Sequence, residues 1–121
     1  MMMNYKQFEI YQVNLNPTVG SEQRGIRPCV FIQSNIVSHL GHTTLVIPFT
    51  SKKTDKLYPY EVLVSASKDN GLSVDSKLKC NHIRVIDKQR VKEKIGILES
   101  KYWDQIFVAL EAILDRWGNF R

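Results

Sequence analysis

Five short runs rich in β-branched and aromatic residues follow one another along the first 86 residues, bounded by proline, glycine or asparagine. Branched side chains suit a pleated sheet and the bounding residues favour turns, so these runs predict β-strands. The predicted strands are Glu9–Leu15, Cys29–Gln33, Thr43–Phe49, Tyr60–Ser65 and His82–Ile86. No long helical stretch separates them. Successive strands should therefore pair mostly antiparallel, in a sheet that curls or closes into a small barrel.

The C-terminal region has helical periodicity instead. Large apolar residues recur there at intervals of one and three, forming one stripe: Trp103, Ile106, Phe107, Leu110, Ile113, Leu114 and Trp117. This spacing predicts an amphipathic helix that buries the stripe, with Ser100 as N-cap and Gly118 just past its end. We also predict one or two helical turns between Lys88 and Lys94. At 121 residues the chain is expected to form a single domain, residues 1–121, that is mostly β with a C-terminal α-helix.

The remaining composition argues against several classes of protein. No apolar run reaches the roughly 18 residues of a membrane span, and the start of the chain is a poor signal peptide, so we expect a cytoplasmic protein with no membrane partner. Cys29 and Cys80 lack the paired spacing of a zinc site and are expected to be buried or half-buried thiols. His39 and His42 have no third ligand nearby. No phosphate-binding loop or dinucleotide motif is present, so no metal and no cofactor are expected.

Positive charge is concentrated in one segment. The whole chain carries +5, and residues 77–94 contain seven Lys or Arg against two acids, which is also +5. Such asymmetry favours a polyanionic partner, although an ordinary solvated basic face would have the same composition.

The loop GSEQRGIRP, residues 20–28, suggests where an anion would bind. Pro28 biases Arg27 towards an extended conformation, and Gly20 and Gly25 would let the loop fold back with its backbone N–H groups available. Thr50 and Ser51 follow the apolar run LVIPF and add hydroxyl groups at a strand end. Arginine, amides and hydroxyls are common phosphate ligands, so we predict a phosphate site here; the alternative is a loop closed by arginine–carboxylate pairs.

Four blocks in order resemble the signatures of the MazF/PemK/Kid family of toxin endoribonucleases. They are VNLNPTVGSEQRGIRPCVFIQSN (Val13–Asn35), IPFTSK (Ile47–Lys52), PYEV (Pro59–Val62) and IRVIDKQRV…IG (Ile83–Gly96). The resemblance runs from about Glu9 to the C-terminal helix. It implies an SH3-like antiparallel barrel, a homodimer, a cognate antitoxin protein as partner, and metal-independent cleavage of single-stranded RNA at short sequences.

The same resemblance assigns the catalytic roles to Arg27 and Thr50. In that reaction a ribose 2′-hydroxyl attacks the adjacent phosphorus and the 5′-oxygen leaves, giving 2′,3′-cyclic phosphate and 5′-hydroxyl ends. Both residues would stabilise the charge of the transition state, and Arg27 is a poor base because it keeps its proton. Some family members have an acidic residue where this chain has Asn81. His82 is one candidate for the base, and reading a nucleobase or simple packing are the alternatives.

Further residues are predicted to bind the RNA, and Tyr58 or Tyr60 is a candidate for base stacking. The predicted binding residues are Ser21, Gln23, Arg24, Ser51, Lys52, Lys53, Lys79, Asn81 and His82. This chain departs from the family at Phe8, where glycine is common before an acidic residue. Two other functions stay open. One is a CcdB-like gyrase poison, which would act through Trp117 and Gly118; the other is an RNA-binding protein that does not cleave.

Overall fold

The computed structural model describes residues 5–118, and within them the chain is mostly β with a C-terminal helix, as predicted. The strands are β1 (Glu9–Asn14), β2 (Ile26–Phe31), β3 (Thr43–Thr50), β4 (Glu61–Val64), β5 (Ser76–Lys79), β6 (Arg84–Asp87) and β7 (Val91–Ile97). The helices are the short α1 (Asn35–Ser38) and the C-terminal α2 (Trp103–Leu114). No helix in this part of the chain is long and apolar enough to cross a bilayer.

All the strand pairs are antiparallel, in agreement with the sequence. Their order is β4-β5-β3-β2-β1-β7, and β6 pairs with β3 off this path. The long strand β3 joins the two parts of the sheet, because it pairs with β2 and β6 along its length and with β5 at its C-terminal end. The pairing among the described strands is compatible with a barrel-like fold but does not close into a ring.

Apolar residues on the two faces of the sheet form two buried clusters. The larger cluster, which includes Ile10, Val30 and Phe49, lies between the sheet and α2 residues such as Ile106. The smaller one contains Val13, Cys29, Phe31, Val46 and Ile86 with neighbouring tyrosines. Alternate residues of β2 enter opposite clusters, as strand geometry requires. Cys29 and Cys80 are buried free thiols, as predicted, and burial raises the pKa of each to about 12.

Two strands were missed from the sequence, and others begin elsewhere. β5 and β7 were not predicted, and only Lys88–Arg90 of the segment expected to be helical forms a 3₁₀ turn before β7 begins. β2 begins at Ile26 instead of Cys29, so Pro28 lies inside it. His82 lies in the 3₁₀ turn Cys80–His82, before β6.

The prediction for α2 was right in type and wrong in extent. The N-cap position is Tyr102 instead of Ser100. The helix ends at Leu114, and its C-cap Asp115 takes a left-handed conformation before Trp117 and Gly118 are reached. Only Ile106 of the predicted stripe is fully buried. The exposed fractions of Leu114 and Trp117 are 78% and 76%, so Trp117 does not complete a buried helical face.

Phe8 occupies the position where the family commonly has glycine, and its backbone shows why glycine suits that position. Its φ is 71°, a left-handed conformation that costs a residue with a side chain about 1–2 kcal/mol. The ring is buried and stacks on Trp103, with centroids 4.2 Å apart and planes 7° apart. The contact of Phe8, which directly precedes β1, with Trp103 of α2 therefore compensates for an unfavourable backbone conformation.

Candidate functional site

All eleven residues predicted to bind or cleave the substrate line three overlapping cavities. We call them the central, histidine and serine cavities; their volumes are about 260, 500 and 350 Å³. The central cavity is lined by Ser21, Glu22, Gln23, Arg24, Arg27, Thr50, Lys52, Lys53, Lys77 and Lys79. The histidine cavity adds chiefly Asn81, His82 and Arg84, and the serine cavity adds Ser51, Ser73 and Ser76. Residues far apart in sequence are thus brought to one surface.

Arg27 and Thr50 reach the central cavity from adjacent strands. The β2–β3 register pairs Cys29 with Pro48, and continuing it by two residues brings Arg27 opposite Thr50. Arg27 lies in β2, paired with Val13, so its extended conformation agrees with the effect expected from the following proline. Directly paired residues share a face of the sheet, so the two side chains lie on the same side.

The hydrogen bonds of both side chains leave donors for an anion. Arg27 Nε donates to the Arg24 carbonyl oxygen at 2.8 Å, which fixes the guanidinium plane. Its two Nη groups donate no hydrogen bond to any part of the chain within residues 5–118. Thr50 is 6% exposed, and its Oγ1 accepts from the Lys52 N–H at 3.2 Å, so its own hydroxyl hydrogen can point to another acceptor. A guanidinium fork beside a hydroxyl donor fits a phosphate group.

The loop between β1 and β2 offers fewer free backbone N–H groups to a ligand than expected. Its glycines do adopt positive φ, 56° at Gly20 and 82° at Gly25. However, Gly25 N–H donates to Asn16 Oδ1 at 3.1 Å, and Gln23 N–H donates to His82 Nδ1 at 3.3 Å. The expectation of a loop with free amides is therefore wrong at these two positions. The bonds they form hold the loop against its neighbours instead.

The bond from Gln23 defines the tautomer of His82. Because Nδ1 accepts a hydrogen bond from the Gln23 N–H, the neutral ring carries its hydrogen on Nε2. Burial lowers the pKa of His82 and repulsion from Lys79 lowers it further, while Glu22 and Glu61 act in the opposite direction. A neutral His82 in this position is a hydrogen-bond donor through Nε2, and its accepting nitrogen is already occupied.

Sequence reasoning missed two residues of the site, Lys77 and Glu61. Lys77 lines the central cavity although its side chain is only 5% exposed, and the fully buried Glu61 carboxylate pairs with both Lys77 and Lys79. Desolvation acts to raise the pKa of Glu61, but the hydrogen bonds from Tyr58 N–H, Lys77 and Lys79 outweigh it and lower the pKa. The lysines alternate along β5, a signal that would have been readable had that strand been predicted.

Two predicted features lie outside the three cavities. The rings of Tyr58 and Tyr60 stack on each other, with centroids 5.4 Å apart, and neither residue lines a cavity. No group of three or more metal-ligating side chains occurs within the described residues, His39 and His42 included.

The chain is similar to one protein family over most of its length and to several individual proteins. Residues 6–114 match the family described as PemK-like, MazF-like toxin of type II toxin–antitoxin system. Endoribonuclease EndoA of Bacillus subtilis (strain 168) is 36% identical over 112 residues, covering 93% of this chain and 96% of the relative. Endoribonuclease MazF9 of Mycobacterium tuberculosis is 37% identical over 115 residues, covering 91% and 96%.

Solved structures agree on the fold. MazF from Deinococcus radiodurans superposes with a TM-score of 0.80 at 22% identity, covering 94% of this chain and 99% of that one. An endoribonuclease in complex with its cognate antitoxin, from a mycobacterial species, gives a TM-score of 0.75 at 15% identity, covering 93% and 96%.

Proposed function

The chain belongs to the PemK-like, MazF-like family of toxins of type II toxin–antitoxin systems, and we propose that its central cavity is where it cleaves single-stranded RNA. The family resemblance inferred from the sequence is thereby confirmed, and the curated relatives are endoribonucleases. One observation carries the assignment of the site. Arg27 and Thr50 line the same cavity from neighbouring strands, together with four lysines and Arg24.

The chemistry follows from these donors. The 2′-oxygen of a ribose bonds to the adjacent phosphorus, its proton passes to a base, and the bond to the 5′-oxygen breaks with protonation of that oxygen. The products are a 2′,3′-cyclic phosphate and a 5′-hydroxyl. Negative charge builds on the phosphorane oxygens between these steps, and the Arg27 Nη groups and the Thr50 hydroxyl bind that charge more strongly than the ground state.

The other cavity residues bind the RNA on either side of the reacting phosphate. Arg24, Lys52, Lys53 and Lys79 supply positive charge along the central cavity. In the histidine cavity, Asn81 and the Nε2–H of His82 offer hydrogen bonds to the edges of unstacked bases. The occupied Nδ1 makes His82 a donor to RNA rather than the acceptor of the 2′-hydroxyl proton.

The protein is further proposed to act in the cytoplasm as a homodimer that a cognate antitoxin inhibits. An antitoxin is supported by a structural neighbour that was solved with its own antitoxin. A second copy of the chain is supported by apolar surface on α2, where Val108 and Leu114 are 64% and 78% exposed. Light scattering of the purified chain tests the dimer, and a monomer would contradict it.

Cleavage of a long single-stranded RNA in excess EDTA tests the site. Arg27→Ala and Thr50→Val should each lower the rate by about 10²–10³, the usual effect of losing one donor to the transition state. Arg116→Ala is the matched control, because Arg116 lies past α2 and lines none of the three cavities. Undiminished cleavage by Arg27→Ala would overturn the assignment of the catalytic site. No cleavage by any protein would overturn the activity and favour the two alternatives, a gyrase poison or an RNA-binding protein that does not cleave.

A further inference from the structure

We propose that Lys77 and Lys79, held in place by the buried Glu61, form a binding site for a second phosphodiester of the RNA. This inference rests on the proposed function, because it names a further part of the same substrate. The second phosphodiester would flank the one bound by Arg27 and Thr50. Glu61 is a positioning residue here, since it would act through the two lysines without touching the RNA.

Glu61 holds both ammonium groups by hydrogen bonds. Its Oε1 accepts from Lys77 Nζ at 3.0 Å and from the Tyr58 N–H at 2.9 Å, and its Oε2 accepts from Lys79 Nζ at 3.1 Å. Lys77 Nζ also donates to the Lys56 carbonyl oxygen at 2.9 Å. Flexible lysine side chains are thus fixed before any ligand arrives, which lowers the entropy lost on binding.

The charges in this cluster do not balance. Two ammonium groups and one carboxylate sum to 2 − 1 = +1, although the side chains of Lys77, Lys79 and Glu61 are only 5%, 20% and 0% exposed. Uncompensated charge in a poorly hydrated position is costly, so a monoanion bound there would be favoured. A phosphodiester is a monoanion. Glu22, the carboxylate that lines the central cavity, forms no ion pair within residues 5–118 and accepts from the Val19 N–H instead.

Hydrogen-bond donors remain for this ligand. Each ammonium has three N–H groups. Lys77 uses two of them and Lys79 uses one in the described structure, so three N–H groups are left between them. Both residues line the central cavity, where these donors meet the substrate.

The register of the sheet separates this position from the scissile phosphate. Thr50 on β3 pairs with Lys77 on β5, and Arg27 lies opposite Thr50 on the other side, on β2. Neighbouring strands are about 4.8 Å apart, so the backbones at Arg27 and Lys77 are separated by about 10 Å. One phosphate group is too small to contact side chains along that whole row. A single RNA strand presents a second phosphate within such a distance.

The experiment measures how affinity for RNA depends on salt, with a mixed-sequence 2′-O-methyl RNA as the uncleavable probe. Each phosphate contact that is lost should reduce the slope of log Kd against log salt by about 0.7. Over a fourfold rise in salt concentration, the fold-loss of RNA affinity should therefore be about 2.6 times smaller for Lys77→Met than for the wild type. Lys88→Met is the matched control, because Lys88 Nζ also donates two hydrogen bonds within the chain, in its case to the backbone carbonyls of Ser38 and Gly41, but Lys88 lines none of the three cavities. It should keep the wild-type slope.

The double variant Arg27→Ala/Lys77→Met tests whether there are two phosphates. Two separate contacts predict a combined reduction of about 1.4 in slope, and one shared phosphate predicts about 0.7. Lys79→Met provides a second measurement if Lys77→Met does not fold, because it leaves the Glu61–Lys77 pair intact.

A slope for Lys77→Met equal to that of Lys88→Met would overturn the inference and leave Lys77 with a purely structural role. A reduction in slope of only about 0.7 for the double variant Arg27→Ala/Lys77→Met would overturn the proposal that a second phosphate is bound. Neither result depends on cleavage, so failure of this site and failure of the proposed activity can be told apart.

Discussion

Replacing Phe8 by glycine should destabilise the protein less than replacing it by alanine. Both changes remove the buried ring and its stack on Trp103, a loss of about 3–5 kcal/mol for a core phenylalanine. Alanine retains a Cβ at φ 71°, and therefore the strain of about 1–2 kcal/mol, whereas glycine removes it. The greater chain entropy of unfolded glycine offsets about 0.5–1 kcal/mol of that gain. Glycine should therefore be favoured over alanine by about 0.5–1 kcal/mol.

Urea denaturation of Phe8→Gly and Phe8→Ala measures this difference directly. The control pair is Ile97→Gly and Ile97→Ala in β7, where the backbone has no positive φ and alanine should be the more stable of the two. A reversed order at Phe8 relative to Ile97 is the expected result. If alanine is as stable as glycine at Phe8, the left-handed conformation is not strained in solution and the explanation of the family's glycine is wrong.

Three further predictions follow from the site. Folding lowers the pKa of Glu61, so below the ordinary value of 4.5 the unfolded chain binds more protons at this residue than the folded chain does. The stability that Glu61 contributes should therefore be fully present above pH 4.5 and decline below it. In urea melts between pH 3 and 7, Glu61→Gln should show a smaller pH dependence and lose about 3 kcal/mol of stability at neutral pH. An unchanged pH dependence would contradict the pairing of the Glu61 carboxylate with Lys77 and Lys79. The ring of His82 should titrate by NMR with a midpoint below 6.5, and a midpoint above it would contradict the burial of the ring and its repulsion from Lys79 as the dominant effects. Lys53, whose φ is 53°, should tolerate glycine with a gain of up to about 1 kcal/mol in stability while RNA binding weakens; a loss of stability would argue against backbone strain.

The sequence predicted strands most accurately where both faces of the strand are buried. β1 and β3 are runs of branched residues bounded by proline or glycine, and they appear within one residue of the predicted bounds. β5 and β7 were missed for a shared reason, which is that lysines interrupt both. In β5 the lysines are made compatible with burial by Glu61, and in β7 Lys94 pairs with Glu9. Those partners come from distant segments, and only the tertiary structure brings them together.

The periodicity of α2 predicted a helix but not how much of it the sheet covers. Its buried residues are Ile106 and Ala109, and Phe107 on the predicted stripe is 43% exposed. Hydrophobic spacing reports which face is apolar and carries no information on the width of the partner surface. The same limit applies to Trp117, which lies past the helix end.

Positive charge was the least specific signal. The basic segment at residues 77–94 was interpreted as a polyanion-binding or solvated face, yet several of its cations have structural partners. Arg84 donates to the Leu15 carbonyl oxygen, Arg90 to that of Asn14, and Lys88 to two carbonyls near α1. Of that segment, Lys77 and Lys79 line the central cavity and Arg84 lines the histidine cavity. Net charge thus favoured the polyanionic class of ligand that is proposed here, without identifying the cations proposed to bind it.

RNA is proposed to be cut by attack of its own 2′-hydroxyl at a phosphate bound by Arg27 and Thr50. Once the cleavage site has been mapped from the products of a long RNA, this attack is tested with two short RNAs that carry that site, identical except for a single 2′-deoxy residue on the 5′ side of the scissile phosphate. In excess EDTA, the all-ribose RNA should give 2′,3′-cyclic phosphate ends and the deoxy-substituted RNA should not be cut at that site. Cleavage of both RNAs at the same bond would show that another nucleophile attacks and would contradict the mechanism.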